Sequence, residues 1–277
     1  MKNFTKRLLT GIAYIGIITF CVISGSYTFL VLFMIITTLC LREFYRLVNT
    51  RIETRINSYI HGISGAILFL STFLYFSGIT GRYIFALFLL YIIGTFIYEL
   101  YAKQKEPITR LAYIFLGQCY ITLPFSVLNL MVFPVSEVNH PDYQWIWVMA
   151  LFVFLWVNDT GAYLIGVLFG KHRLWERLSP KKSWEGFFGG FVFTVASAIL
   201  FAHFYPQIAG VHWIALSAGV VILGTYGDLI ESLIKRTLAV KDSGHALPGH
   251  GGFLDRFDSF LFAVYAMLFY IELFIKK

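Results

Sequence analysis

Charged residues are scarce in this chain of 277 residues, at 13% of the sequence, and only 15 residues are acidic. Soluble globular domains carry roughly 25% charged residues. The composition therefore excludes an ordinary water-soluble protein. It also makes any cluster of acidic residues informative, because the chain uses so few of them.

Cysteine is also rare, with three residues in the whole chain. Cys21, Cys40 and Cys119 each lie inside an apolar run, and their number is odd. Their spacing matches neither a disulfide framework nor a metal-binding motif. We interpret all three as buried apolar side chains, so they indicate neither a redox compartment nor a metal.

Apolar residues, by contrast, make up 58% of the chain and aromatic residues 19%, and the mean hydropathy is +0.73. A helix needs about 20 apolar residues to cross the hydrocarbon core of a bilayer. We therefore predict an all-α, polytopic integral membrane protein, with five spans in residues 1–140 and four in residues 141–277. The nine predicted spans lie near residues 8–24, 27–45, 59–77, 83–101, 110–133, 145–169, 187–204, 211–226 and 259–275.

Basic residues outnumber acidic ones, 22 to 15, which gives a formal net charge of +7. Such an excess is compatible with nucleic acid, an acidic membrane surface or a phosphate-rich substrate. With the N-terminus in the cytoplasm, 19 of the 22 basic residues fall in cytoplasmic segments, and only Arg82, Lys276 and Lys277 lie outside. This distribution follows the positive-inside rule. It predicts a cytoplasmic N-terminus, an external C-terminus and no nucleic-acid partner.

A first polar cluster, Asn158 and Asp159, lies inside the sixth predicted span. An ionisable residue at that depth is costly and usually faces a cavity or a partner, so it indicates a functional site. The alternative is that both side chains only form hydrogen bonds to neighbouring helices.

A second cluster follows in the next cytoplasmic loop. Ser179 and Pro180 precede Lys181 and Lys182, and Ser183 comes next. This order predicts the start of a helix, whose free backbone N–H groups and two ammonium groups would together bind an anion. The alternative is that the loop is basic for topological reasons alone.

The richest polar cluster lies between residues 227 and 258. Four of its residues follow the spacing i, i+3, i+4 and i+7, which predicts one polar face of a helix; they are Asp228, Glu231, Ser232 and Lys235. Asp255 and Asp258 are also three residues apart, so both carboxylates can point toward one metal ion or one phosphate group. Glycines at positions 244, 249, 251 and 252 allow tight turns between the two pieces.

Carboxylates that alternate with lysine and arginine at the ends of membrane helices suit phosphoryl or nucleotidyl transfer. Aspartates can hold Mg²⁺, which shares its coordination sphere with substrate phosphates. Lysine and arginine bind the remaining phosphate oxygens and offset the charge that develops during the reaction. An ordinary solvated loop of mixed charge would explain neither the glycine density nor the polar stripe.

The segment from Ser232 to Asp258 closely resembles the C-terminal motif of the CDP-diacylglycerol synthases, also called phosphatidate cytidylyltransferases. The family motif is a serine, then Lys-Arg, four free positions, Lys-Asp, and a Pro-x-His-Gly-Gly segment that ends in Asp-Arg-x-Asp. Each fixed position is present across these 27 residues. The segments 158–160 and 179–186 also look like family segments, whereas the N-terminal half is similar only in being hydrophobic.

This resemblance implies transfer of CMP from CTP to phosphatidic acid, giving CDP-diacylglycerol and pyrophosphate in phospholipid biosynthesis. It implies a multi-pass protein of the cell membrane, the inner membrane in a bacterium, with a cytoplasmic active site in residues 141–277. It further implies Mg²⁺ held by Asp228 and Asp255, with Asp258 completing or supporting the site. Family members are thought to be homodimers and to use a second, monovalent cation.

Together the residue chemistry and the resemblance give a set of candidate site residues. We expect the lipid phosphate to be the nucleophile, so the protein positions the substrates and neutralises their charge. Lys181 and Lys182 are candidates for the departing pyrophosphate, and His250 for a phosphate ligand, an acid or a loop residue. The candidate catalytic residues are Asp228, Lys235, Asp255 and Asp258, and the candidate substrate-binding residues are Asn158, Asp159, Lys181, Lys182, Ser183, Ser232, Arg236, Lys241, His250 and Arg256.

Two other functions compete with this interpretation. A CTP-dependent lipid kinase of the dolichol or phytol kinase kind would move a phosphoryl group and leave CDP. An ion or solute transporter would use Asp159 in its pathway, but it would leave the segment from Ser232 to Asp258 unexplained.

Overall fold

The computed structural model describes residues 2–51, 55–133, 142–240, 243–244 and 251–275. The chain forms two compact units. Unit 1 comprises Met1–Trp145 and Asp242–Arg256, and unit 2 comprises Ile146–Lys241 and Phe257–Lys277. The segment Asp242–Arg256 therefore belongs with the N-terminal helices, although the chain on both sides of it belongs to unit 2.

The regular elements of unit 1 in its described residues are all helices. A π-helical turn at Gln118–Thr122 joins the fifth helix to the sixth, and 3₁₀ turns lie at Arg82–Phe85 and Leu254–Arg256. The helices are α1 (Lys2–Ile23), α2 (Ser26–Val48), α3 (Ser58–Phe76), α4 (Ala86–Tyr101), α5 (Pro107–Gly117) and α6 (Leu123–Val132).

An aromatic cluster forms the core of unit 1. The rings of Phe29 and Phe33 on α2 are 4.9 Å apart, and Phe33 lies 6.3 Å from Phe69 on α3 and 6.1 Å from Phe125 on α6. All four side chains are fully buried. Offset and tilted ring pairs of this kind add to the packing energy beyond the buried area, so the cluster fixes α2, α3 and α6 against one another.

Several buried polar side chains inside unit 1 are paired with one another or with the backbone. The Gln118 amide donates hydrogen bonds to the His61 carbonyl and the Ser64 hydroxyl, both at 3.0 Å. Glu99 and Arg110 form a buried ion pair at 2.9 Å, with 3% of each side chain exposed. In a membrane, unsatisfied polar groups cost several kcal/mol each, so such pairing is a condition of the fold.

Unit 2 combines four helices with a short hairpin. Phe152 on the first helix stacks on Phe260 of the last, with ring centres 5.5 Å apart, and Trp213 is fully buried. The elements are α7 (Ile146–Phe169), β1 (Arg173–Trp175), β2 (Ser179–Ser183), α8 (Trp184–Phe204), α9 (Gly210–Thr237) and α10 (Phe260–Tyr270), and a π-helical turn at Ile271–Ile275 continues α10.

The protein is an all-α polytopic membrane protein. In the described part of the chain, seven helical segments are long and apolar enough to cross a bilayer, and they coincide with seven of the predicted spans. The apolar helices at the first and ninth predicted positions, Leu9–Ile23 and Phe260–Ile275, are shorter. Helix α9 runs on without interruption past the eighth predicted span to Thr237, and so includes the polar stripe that was predicted to follow that span.

The predicted helix start at Ser179 is wrong. Residues Ser179–Ser183 form strand β2, which pairs antiparallel with β1. Pairing with β1 explains the difference, because it holds the whole segment in extended backbone and its partner strand has no marked signal in the sequence. Helix α8 begins instead at Trp184, and the Ser183 hydroxyl caps it by accepting a hydrogen bond from the Gly186 N–H at 3.1 Å.

The three cysteines are free thiols. Cys40 is buried and Cys21 is partly exposed, but Cys119 is exposed. The prediction that all three are buried is therefore wrong for Cys119, which lies on the outer side of the π-helical turn in unit 1.

Candidate active site

The polar stripe predicted between residues 228 and 235 lies on one continuous helix, α9. Lys235 donates to Glu231 one turn earlier, at 2.5 Å, and the Ser232 hydroxyl donates to Asp228 at 3.4 Å. Glu231 is 1% exposed, whereas Asp228 and Lys235 are partly exposed. The helical spacing predicted for these residues is confirmed.

Gly227 allows the start of the last helical segment to approach α9 closely. A Cβ atom at position 227 would lie 2.6 Å from the Asp258 carbonyl oxygen and 3.2 Å from the Ser259 carbonyl oxygen. Real Cβ atoms essentially never show the first separation, and the second is tighter than an ordinary carbon–oxygen contact. A glycine here therefore lets the backbone at Asp258 lie against the helix turn that carries Asp228.

Three carboxylates meet at this approach. One carboxylate oxygen from each of Asp228, Glu231 and Asp258 lies within 4.8 Å of the other two. We refer to these three residues as the carboxylate cluster. Two of its members were predicted metal ligands, and Glu231 was predicted on the stripe but not as a ligand.

The electrostatics of the carboxylate cluster favour a cation. Desolvation and the nearby charges of Asp228, Glu231 and Asp159 raise the pKa of Asp258 well above its usual range. Lys182 acts in the opposite direction and lowers the pKa of Asp258. Several carboxylates at short range are stable when a divalent cation shares them, and Mg²⁺ prefers such oxygen ligands. The donor set therefore fits Mg²⁺.

A cavity of about 240 Å³ opens beside Asp228 within unit 2. Its lining joins residues that are far apart in sequence, from α7, the hairpin, α8 and α9. Lys182 forms an ion pair with Asp228 at the edge of this cavity. The predicted site residues that line it are Asn158, Asp159, Lys181, Lys182, Ser183 and Asp228.

Two glycines of α8 bring that helix close to α7 and so shape the cavity. A Cβ at Gly190 would lie 2.4 Å from the Asn158 side-chain oxygen, and one at Gly186 would lie 2.9 Å from the Ala162 carbonyl oxygen. Small residues permit such close helix packing in membranes. Asn158 is therefore held against α8, with 8% of its surface exposed.

Glu185 anchors the hairpin that carries the two lysines. Its carboxylate accepts hydrogen bonds from the backbone N–H groups of Lys171 and His172, at 3.1 and 3.2 Å, and from the His172 ring at 2.6 Å. These contacts tie the entry of the hairpin to the first turn of α8. Lys181 and Lys182 are thereby held at the cavity by backbone structure.

Asp255 and Arg256 belong to unit 1, in the two described pieces of chain that we call the glycine loop (residues 243–244 and 251–256). The Asp255 carboxylate accepts hydrogen bonds from the N–H groups of Ser243, at 3.0 Å, and Gly252, at 2.8 Å. Gly251 has φ = +82°, a conformation that favours glycine. Arg256 is exposed.

Some predicted site residues are placed elsewhere or not described. Arg236 is exposed at the end of α9, where its guanidinium donates to the Val240 carbonyl at 3.5 Å. Lys241 and His250 lie outside the described residues. The sequence interpretation did not include Thr225 and Ser259, which also line the cavity. The sequence around these two residues does not indicate a functional site, because a lone hydroxyl at the edge of an apolar helix is common.

Comparison with known proteins gives a consistent picture. The sequence profile of the cytidylyltransferase family matches residues 5–274. A phosphatidate cytidylyltransferase of Bacillus subtilis (strain 168) is 32% identical over 282 residues, covering 99% of this chain and 100% of that protein. Phosphatidate cytidylyltransferases of Staphylococcus haemolyticus (strain JCSC1435) and Staphylococcus aureus (strain COL) are each 38% identical over 157 residues, covering 56% of this chain and 58% of those proteins.

Proposed function

The chain belongs to the cytidylyltransferase family, and we propose that it transfers CMP from CTP to phosphatidic acid, forming CDP-diacylglycerol and pyrophosphate. The observation that carries this proposal is the cavity of unit 2, which lysines, a serine and an asparagine line together with Asp228 of the carboxylate cluster. This combination suits a substrate with several phosphates and a metal ion. The product places the enzyme in phospholipid biosynthesis.

The reaction needs no nucleophile from the protein. A phosphate oxygen of phosphatidic acid, already anionic near neutral pH, attacks the α-phosphorus of CTP. The new P–O bond joins lipid and CMP, and the bond from the α-phosphorus to the bridging oxygen breaks as pyrophosphate leaves. What remains for the protein is to align the two substrates and to stabilise the charge that moves onto the leaving group.

Asp228, Glu231 and Asp258 would hold Mg²⁺. When bound, Mg²⁺ supplies a positive charge that neutralises the phosphate oxygens of CTP. By family resemblance we also propose Asp255 as a ligand, supplied from the glycine loop. We also propose a second, monovalent cation, again on the basis of the family resemblance.

The basic residues supply the counter-charge for the phosphates. Lys182, paired with Asp228, and Lys181 would bind the departing pyrophosphate, because both line the cavity. Asn158, Asp159, Ser183 and Ser232 would contact the bound nucleotide or lipid phosphate. The remaining proposed phosphate ligands are Lys235, Arg236, Lys241, His250 and Arg256.

The membrane arrangement completes the proposal. The distribution of Lys and Arg supports nine crossings, a cytoplasmic N-terminus and an external C-terminus. On this basis we propose that the active site lies on the cytoplasmic face, where CTP is available. We propose that catalysis resides in residues 141–277 and that the protein assembles as a homodimer.

The proposal is tested with CTP labelled on the α-phosphorus. Purified protein in detergent, with Mg²⁺ and phosphatidic acid, is expected to move the label into lipid. A parallel reaction with CTP labelled on the γ-phosphorus should release that label as pyrophosphate. Transfer of the γ-label to a lipid alcohol, offered in place of phosphatidic acid, would identify a lipid kinase instead. Solute flux into liposomes without nucleotide turnover would identify a transporter.

A further inference from the structure

We propose that Glu43 is a positioning residue of the active site, and that its carboxylate holds the glycine loop which carries Asp255 and Arg256. The inference rests on the proposed function, since that function gives Asp255 its role. Glu43 lies on α2 in unit 1, with 7% of its surface exposed. It is about 200 residues from the loop in sequence, and no motif marks it.

The contacts between Glu43 and the glycine loop are specific. One carboxylate oxygen of Glu43, Oε2, accepts a hydrogen bond from the Leu254 backbone N–H at 2.9 Å. The same oxygen accepts a hydrogen bond from the Ser243 hydroxyl at 3.2 Å. A side chain of the second helix therefore replaces the partners that this loop backbone would otherwise find in water.

Two glycines let the loop close around the carboxylate. A Cβ at Gly252 would lie 2.4 Å from Glu43 Oε2, and one at Gly244 would lie 2.7 Å from Glu43 Oε1. A side chain at either position would force the Glu43 carboxylate or the loop to move, and at Gly252 it would also meet the Ser243 hydroxyl. The glycine density that the sequence shows here is thus explained, at these two positions, by the presence of Glu43.

The Asp255 carboxylate binds the same segment, of which it is itself a part. It accepts hydrogen bonds from the N–H groups of Ser243 and Gly252, while Glu43 binds the Ser243 hydroxyl and the Leu254 N–H. Ser243 therefore contacts both carboxylates, and Leu254 precedes Asp255 directly. Without the Glu43 contacts, the loop backbone that orients the Asp255 carboxylate is less firmly held.

Three substitutions separate positioning from a direct electrostatic role. Glu43→Gln keeps the side-chain length and one acceptor oxygen but removes the charge. Glu43→Asp keeps the charge but withdraws the oxygens by about 1.5 Å, one carbon–carbon bond length. Glu43→Leu removes both acceptors while keeping a similar volume, and Glu106→Leu makes the same change at an exposed glutamate of unit 1.

For a positioning residue, the turnover number for CMP transfer at saturating CTP and Mg²⁺ should fall only a few-fold in Glu43→Gln. It should fall by about 100-fold in Glu43→Asp and Glu43→Leu, because a misplacement of roughly 1 Å is enough for a loss of that size. Glu106→Leu should match the wild type. If Glu43→Asp is more active than Glu43→Gln, charge rather than reach is required, and the proposal is overturned.

Hydrogen exchange provides a readout that does not depend on activity. The amides of residues 251–256 should exchange faster in Glu43→Asp and Glu43→Leu than in the wild type, while those of α7 to α9 stay unchanged. Unchanged exchange at residues 251–256 in both variants would also overturn the proposal. If the wild type moves no α-label into lipid, the proposed function fails, but the exchange comparison still decides whether Glu43 holds the loop.

Discussion

Acidic side chains are concentrated in two places in this protein, and the partners of their carboxylates differ between the two. In the carboxylate cluster of unit 2, Asp228, Glu231 and Asp258 face one another and the lysines beside them. In the glycine loop of unit 1, Glu43 and Asp255 instead accept hydrogen bonds from a backbone segment. The first arrangement favours a cation, whereas in the second the backbone donors fix where the carboxylates lie, including that of Asp255, the further ligand that we propose.

The difference shows that residue type alone does not assign a role. A carboxylate surrounded by carboxylates raises the free energy of the site until a cation binds. A carboxylate that accepts backbone N–H groups stabilises a loop conformation instead. The rate of CMP transfer should therefore depend on the charge of the carboxylates in the cluster. At Glu43 it should depend instead on the length of the side chain.

The largest effect is expected from Asp228→Asn, which removes a charge from the cluster without changing its shape. CMP transfer at saturating Mg²⁺ should fall by about 100-fold or more, the size typical of a lost electrostatic contact to a developing charge. Asp142→Asn, the same change at an exposed aspartate of unit 1, should keep full activity. Both variants should insert and purify normally. Near wild-type turnover in Asp228→Asn would refute the metal assignment.

A smaller effect is expected from Gly227→Ala, which disturbs the geometry of the cluster and leaves its charge intact. The added methyl group would meet the Asp258 carbonyl oxygen at 2.6 Å, so Asp258 must move away from Asp228. Activity should fall by roughly tenfold or more. Gly210→Ala on the same helix is the control, because its methyl group meets Ala202 at an ordinary 3.5 Å. Equal activities of the two variants would show that this close approach is not required.

The smallest effect is expected from Asp159→Asn, at the exposed edge of the cavity. Charges in contact with water contribute about 0.2–1 kcal/mol, which corresponds to a change of only a few-fold in rate. Steady-state kinetics with varied CTP will measure it. If CMP-transfer activity falls as far as in Asp228→Asn, Asp159 on α7 acts together with the carboxylate cluster.

How much could be predicted from the sequence depended on how local the signal was. Apolar runs of about 20 residues predicted the helices, and the i, i+3 spacing predicted the stripe of Asp228 and Glu231 on α9. The helix start at Ser179 was predicted wrongly, because lysines after a serine resemble a helix N-terminus whether or not a strand forms. Glu43 left no trace in the sequence, because its partners are separated from it by about 200 residues.

The length of α9 has a consequence for how two very different substrates meet. Its 28 residues extend roughly 42 Å, whereas the hydrocarbon core of a bilayer is only about 30 Å thick. Asp228 lies about 27 Å along the helix from Gly210, so a helix that enters the hydrocarbon at Gly210 brings Asp228 near the opposite boundary with the headgroups. A lipid phosphate is confined to that boundary plane, and a nucleotide stays in the water above it. The length of the helix therefore sets the depth in the membrane at which the reaction occurs. The lipid stays in the bilayer and the nucleotide stays in water while they react.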